Sequence, residues 1–179
     1  QQKKVLITSL CLVIIGIFLF IILLNQNSIN NEDTEILKVS NWINEQSDNG
    51  EFEYDYPKNL TTEYIETKEW PPKIIVSDRQ FSCDNSQNDI NLNIFIEERP
   101  IYDRDYCITI KAEGAAGSIY RNYLFETIKN SKLVQISFVL RLLNCENFDE
   151  EKKLNCEREM RMFEPDNMVN RIMDSLKIL

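Results

Sequence analysis

The chain contains no histidine, and this absence narrows the chemistry that it can perform. Within this chain there is no Ser-His-Asp or Cys-His catalytic arrangement and no histidine-ligated metal. A C-x-x-C pair is also missing, which disfavours a zinc site. Carboxylates are abundant, but a glycosidase pair requires a fold that sets two of them across a cleft. We therefore predict no catalytic residue, no metal and no cofactor.

Glycine is scarce, since the chain has only 4, and two of them fall within the segment EGAAGS at residues 113–118. This segment separates two predicted strands, so we favour a turn or bulge that needs backbone freedom. The alternative is a loop whose free amides hold an anion, although neither a Walker nor a Rossmann pattern is present. The weak ligand-binding candidates of this alternative are Glu113, Gly114, Gly117, Ser118 and Arg121.

Charge is missing altogether from residues 5–24, VLITSLCLVIIGIFLFIILL. As a helix this run is about 30 Å long, the thickness of a bilayer core. Lys3 and Lys4, in a predicted cytoplasmic stub of residues 1–4, place the amino end inside. A cleaved signal peptide is the alternative, but no small-residue cleavage site follows the run. We predict a single-pass anchor in the cell membrane, with the C-terminal part outside the cytoplasm.

Basic residues are in the minority beyond the predicted anchor. Setting aside Lys3 and Lys4 from the 20 basic residues leaves 18 against 29 acidic ones, a formal charge of −11. No basic stripe is present, so nucleic acid is not a predicted partner. The length suits one domain with a tether. We predict a polar tether with a possible short helix at residues 25–50 and an extracytoplasmic domain at residues 51–179.

Four cysteines lie beyond the predicted anchor. An even number outside the cytoplasm favours two disulfides, for which three connectivities are possible. We favour Cys83 with Cys107 and Cys145 with Cys156, because each pair closes a short loop between neighbouring cysteines of the chain.

Beyond Gly50, apolar residues recur at every second position, as in strands. Near Asp149 they change to the three- and four-residue spacing of helices. Strands are predicted near residues 52–56, 73–76, 92–96, 106–112, 118–129 and 132–142, with a break at Trp70-Pro71-Pro72. Helices are predicted from Asp149 and from Pro165. The predicted fold class is α+β: an N-terminal transmembrane helix, then a mainly antiparallel sheet covered by C-terminal helices.

The order of these pieces resembles an uncharacterised family of small single-pass envelope proteins of candidate-phyla (Patescibacteria) bacteria. The resemblance covers about residues 50–179 and is carried by WPP, YC, EGAAGS, LRxxxC and CExE. Members share the four cysteines, but the family brings no activity, cofactor or site residue. More loosely, the order is similar to the PsbP-like α/β/α sandwich, which implies binding or assembly rather than catalysis.

These observations predict a non-enzymatic, membrane-tethered extracytoplasmic domain. Its predicted partners are the membrane, through residues 5–24, and an unknown envelope protein or small ligand. Two alternatives remain: a carboxylate-dependent hydrolase of cell-wall glycans and a structural subunit of an envelope assembly.

Overall fold

A computed structural model describes residues 41–115 and 117–179. These residues form eight β-strands and two α-helices. The strands are β1 Trp42–Gln46, β2 Phe52–Pro57, β3 Ile65–Ser77, β4 Ile94–Ile101, β5 Arg104–Ala115, β6 Ser118–Lys129, β7 Lys132–Leu143 and β8 Lys177–Ile178. The helices are α1 Glu150–Met162 and α2 Asp166–Ser175.

The strands form two antiparallel sheets. The larger has five strands in the order β3-β7-β6-β5-β4, and the smaller has three in the order β1-β2-β8. Strands β4 to β7 follow one another as hairpins, and each closes with a short turn. At the β6–β7 turn both Asn130 and Ser131 have positive φ, which matches the twist of a two-residue hairpin. The long meander is therefore specified by local turns.

One face of the larger sheet, the inner face, carries the hydrophobic core. Its middle row is Ile74, Ile136, Phe125 and Ile108, which are direct neighbours across β3, β7, β6 and β5. Helix α2 packs into the same core with Met168, Val169, Ile172 and Met173. Strand β2 adds Phe52 and Tyr54. A mixed layer of helix and strand thus covers the inner face.

Polar contacts fix α2 over the end of the sheet where β5 begins. Arg99 Nη1 lies 2.8 Å from Asp166 Oδ2, and Arg104 Nη1 lies 2.8 Å from Asp174 Oδ1. Lys129 Nζ donates to the carbonyls of Met173 and Asp174 at the carboxyl end of the helix. A cation there is favoured by the helix dipole. Three neighbouring strands, β4, β5 and β6, therefore each supply one cation to α2.

Two disulfides join the cysteine pairs that the sequence favours. Cys83 bonds to Cys107 with a Cα–Cα distance of 5.3 Å, and Cys145 bonds to Cys156 with one of 5.6 Å. The first ties the loop before β4 to β5, the strand next to the edge of the larger sheet. The second ties the end of β7 to α1.

The predicted fold class is wrong in its architecture. The described residues form two sheets instead of one, and strands account for about half of them. Helix α1 buries only Cys156, so it contributes little cover, and β2 takes that role with its alternating apolar side chains. Within residues 41–115 and 117–179 no helix is long and apolar enough to cross a membrane. The predicted anchor, residues 5–24, lies outside the described residues.

Two further expectations differ from the structure. Trp42 and Ile43, assigned to a possible short helix in the tether, lie in β1, where pairing with β2 overrides a weak helical pattern. The predicted break at Trp70-Pro71-Pro72 is instead a bulged part of one long strand, β3, with shifts in register between Thr67 and Lys73. Proline is tolerated there because β3 is an edge strand.

Candidate ligand-binding groove

An open groove with a volume of about 590 Å³ lies on the inner face, beyond the part that α2 covers. Its floor consists of Phe95 of β4, Ile110 and Ala112 of β5, and Arg121 of β6. Phe95 pairs directly with Ile110, and Ala112 pairs directly with Arg121. The same alternation that buries Ile108 therefore turns these four side chains toward one side.

Incomplete cover explains why this part of the inner face is open. The contacts of α2 go to Arg104 at the start of β5, whereas the groove lies toward the other end of that strand, at Ile110 and Ala112. Phe95 remains 50% exposed although it belongs to the core-bearing face. A large aromatic side chain left half exposed beside other apolar residues is typical of an interaction site.

The loop before β4 forms the wall of the groove through Asn88, Ile90 and Asn93. The side-chain amide of Asn88 donates to the carbonyl of Ile96 at 3.1 Å, and its oxygen accepts from the Ile96 amide. The amide of Ala112 donates to the carbonyl of Asn93 at 3.1 Å. With the Cys83–Cys107 bond, these contacts hold the wall against β4 and β5.

Among the described residues, Arg121 is the one charged side chain that lines the groove. No carboxylate among the described residues lies within ion-pair distance of it. Other arginines of the large sheet are paired: Arg141 Nη1 lies 3.2 Å from Glu66 Oε2, and Arg99 and Arg104 are bound to α2. The guanidinium of Arg121 is therefore a hydrogen-bond donor beside an apolar floor, with no ion-pair partner in the described part of the chain.

The sequence-predicted candidates do not come together as one site. Glu113 and Ser118 lie on the outer face of the sheet, where Glu113 pairs with Lys111 at 2.7 Å and Ser118 accepts from Arg141 Nε at 3.0 Å. Arg121 lies on the inner face. The structure thus places Arg121 on the opposite face of the sheet from Glu113 and Ser118, with which the anion-loop hypothesis grouped it.

EGAAGS forms the end of the β5–β6 hairpin. Ala115 pairs with Ser118, and Gly117 has a φ of +74°. The Gly117 carbonyl accepts from the amide of Asn144 at 3.2 Å, so the turn is held by the segment after β7. Gly114 has open space where a side chain would project. The positive φ of Gly117 is one that glycine adopts readily. Gly114 has no positive φ, so its backbone does not require glycine.

The described residues that line this groove include no carboxylate. The carboxylate whose pKa is raised, Asp166, lies at the start of α2: burial raises its pKa, and Arg99 opposes that shift. Glu97 also pairs with Arg99, at 2.8 Å from Nε, so the same guanidinium binds both carboxylates. In the described part of the chain no three metal-ligating side chains cluster. The groove geometry supports binding of a ligand and provides no acid–base pair.

Sequence reasoning identified Arg121 but missed the rest of the groove. The alternation of Leu92, Ile94 and Ile96 drew attention to the other face of β4 and left Phe95 among the polar positions. A usable signal was present in β5 and β6, because Ile110 and Arg121 fall on the same faces as the core residues Ile108 and Tyr123. The sequence could not show how much of the inner face α2 covers.

Comparison with protein-family models, curated proteins and solved structures finds no match to this chain. The resemblances to the envelope family and to the PsbP-like fold therefore stay predictions.

Proposed function

We propose that the domain is a non-enzymatic binding domain of the extracytoplasmic space that takes a ligand in the groove of Arg121. The observation that carries the proposal is the combination of an apolar floor, Phe95, Ile110 and Ala112, with a guanidinium that has no ion-pair partner among the described residues. Ligand sites are mostly apolar and contain a few polar groups that orient the ligand. A small ligand is favoured over a protein partner because the groove is concave.

The compartment is supported by the disulfides. Cytosolic thiols are kept reduced, so the pairing of all four cysteines beyond the predicted anchor in two disulfides favours an oxidising compartment. Non-reducing peptide mapping of the chain from its own cells tests this part of the proposal. We expect the peptides of Cys83 and Cys107 to be linked to each other. Four alkylated thiols would count against a location outside the cytoplasm.

The binding proposal is tested by filling the groove. Ala112→Phe places a ring between Phe95 and Arg121, whereas Ala115→Phe adds the same ring to the opposite, exposed face of the same strand. The full chain and both variants are purified, and small molecules that co-purify are identified by mass spectrometry. We expect one molecule to accompany the wild type and Ala115→Phe but not Ala112→Phe.

Two outcomes would overturn the groove as the binding site. One is a co-purifying molecule whose amount is unchanged in Ala112→Phe, and the other is the absence of any molecule above a mock purification. The hydrolase alternative gains no support from the groove, because none of its lining side chains is a carboxylate. The envelope-assembly alternative stays a prediction from the sequence.

A further inference from the structure

The polar groups that line the groove are one guanidinium on β6 and two side-chain amides in the wall. Arg121 supplies the charge, and the lining amides belong to Asn88 and Asn93. The amide of Asn88 is already engaged with both backbone groups of Ile96. The remaining lining consists of apolar side chains and Ala112. A bound molecule can therefore place one charged end on Arg121, and the part of it that lies along Phe95, Ile110 and Ala112 must need no hydrogen bonds.

A peptide in extended form is a poor match to this surface. Strand β4 is an edge strand, but at the groove its edge is occupied: Asp89 and Ile94 exchange backbone hydrogen bonds of 3.0 and 3.1 Å, and Asn88 binds Ile96. The floor lies in the middle of the β4–β5–β6 ladder, where the backbone groups are paired. A peptide would thus find no row of backbone partners, which strand addition requires.

The charge of the site sets the charge of the ligand. One guanidinium faces the groove, while the chain as a whole carries a formal charge of −9. A single arginine matches a carboxylate in bidentate geometry, and the net negative charge of the chain disfavours a more highly charged anion. A monoanion is therefore favoured over a phosphate dianion or a polyanion.

We infer that the groove binds an organic monocarboxylate with an apolar chain, its carboxylate on Arg121 and its chain along Ile110 and Phe95. This inference rests on the proposed function, because it names the class of the small ligand. The volume of about 590 Å³ falls within the range of roughly 300–1,000 Å³ that ligand pockets occupy. Exposed Ile90 at the wall provides further apolar surface.

Photolabelling of the full chain tests the inference. A decanoate that carries a diazirine on its chain is irradiated with the protein, and labelled peptides are mapped by mass spectrometry. Unlabelled decanoate and 1-decanol, both below their aggregation concentrations, compete for the label. The variants are Arg121→Gln and Arg158→Gln, which remove the same charge from the groove and from an exposed position of α1. Circular dichroism establishes that each variant is folded.

We expect labelling at residues 88–95, at residues 110–112 and at Arg121, and displacement of the label by decanoate. Arg121→Gln should weaken decanoate competition by about tenfold or more, since a charge-assisted pair is lost. Arg158→Gln should not change it, and competition by 1-decanol should be equal in all three proteins. Each of these results supports the inference.

The inference is overturned if the label is spread over the surface, or if Arg121→Gln leaves decanoate competition unchanged. In the second case, groove labelling that is blocked by Ala112→Phe would leave the proposed function standing and show that the ligand is apolar and uncharged. If neither decanoate nor 1-decanol protects the groove, the ligand class is wrong, and the co-purification experiment alone decides the proposed function.

Discussion

Arg121 lies directly opposite Ala112 in the β5–β6 ladder, on the core-bearing face of the sheet. The small side chain of Ala112 leaves space beside the guanidinium, and the neighbouring pair, Ile110 and Tyr123, continues the apolar floor toward the core. A larger residue in place of Ala112 would close this space. The groove thus depends on one small residue in a row that is otherwise filled.

The two glycines of EGAAGS should differ in their contribution to stability. Gly117→Ala forces a side chain onto a residue at φ +74° and brings its Cβ to 3.1 Å from Asn147 Nδ2. We expect a loss of about 1–3 kcal/mol in the free energy of unfolding. Gly114→Ala meets open space, so the loss should stay within about 0.5 kcal/mol. Urea denaturation without reductant measures both, and equal losses would contradict the assigned turn.

The two disulfides should stabilise the domain to a similar extent but differ in their effect on ligand binding. Replacing either pair by serine should cost about 2–4 kcal/mol of stability. Only loss of Cys83–Cys107 should also weaken ligand binding, because that bond holds the start of the loop that walls the groove. The Cys145–Cys156 variant is the matched control, since its bond lies at α1. Urea denaturation and decanoate competition supply the two readouts, and equal loss of binding in both variants would argue against a fixed wall.

Lys129 should stabilise the docking of α2. Its amine donates to the carbonyl of Met173, and burial lowers its pKa, with Arg104 acting in the same direction. Lys129→Met should destabilise the domain by about 1 kcal/mol because the helix end loses a cation. Lys132→Met, which removes an exposed pair with Asp78, should change stability by no more than about 0.5 kcal/mol. The opposite order in urea denaturation would contradict this account.

Two buried tyrosines should make the domain sensitive to alkali. Burial raises the pKa of Tyr54 and of Tyr106 from 10 to about 12. Between these values the unfolded phenols lose protons while the folded ones keep them, so rising pH favours the unfolded state. The contribution of the two neutral phenols to the free energy of unfolding is thus complete below pH 10 and is lost as the pH approaches 12.

The measurement is the urea midpoint as a function of pH, with the two Tyr→Phe variants as controls. Absorbance at 295 nm reports phenol ionisation in the folded protein. We expect the urea midpoint of the wild type to decrease as the pH rises above 10. The urea midpoints of the variants should decrease less. A wild-type profile that both variants reproduce would show that other groups cause the alkaline loss.

Local sequence patterns predicted the strands well where turn residues and the alternation of apolar residues indicate the same strand ends. The alternation of Val134 to Leu142 and the turn at Asn130-Ser131 are sufficient to define the β6–β7 hairpin. The cysteine pairing likewise followed from chain neighbours. The strand at Trp42 was missed because its pairing partner in β2, Pro57, lies 15 positions further along the chain. Period alone cannot reveal such a contact.

The groove was out of reach of sequence reasoning for a related reason. Arg121 and Phe95 come from strands that are not neighbours, and their proximity depends on the register of β5 between them. The groove is open because α2 does not cover this part of the inner face. Helix α2 has an apolar face that the sequence shows clearly, but the strands on which it docks are fixed by its ion pairs with Arg99 and Arg104.

Hydrogen–deuterium exchange of the full chain, with and without decanoate, tests the central claim most directly. The loop of residues 88–94 is exposed, and the amides of Asn91 and Leu92 are bonded only to the side chain of Asp89 among the described residues. If the groove is the binding site, decanoate should slow exchange in this loop and leave residues 113–118 unchanged. Slowing confined to residues 113–118, or no slowing at all, would contradict it.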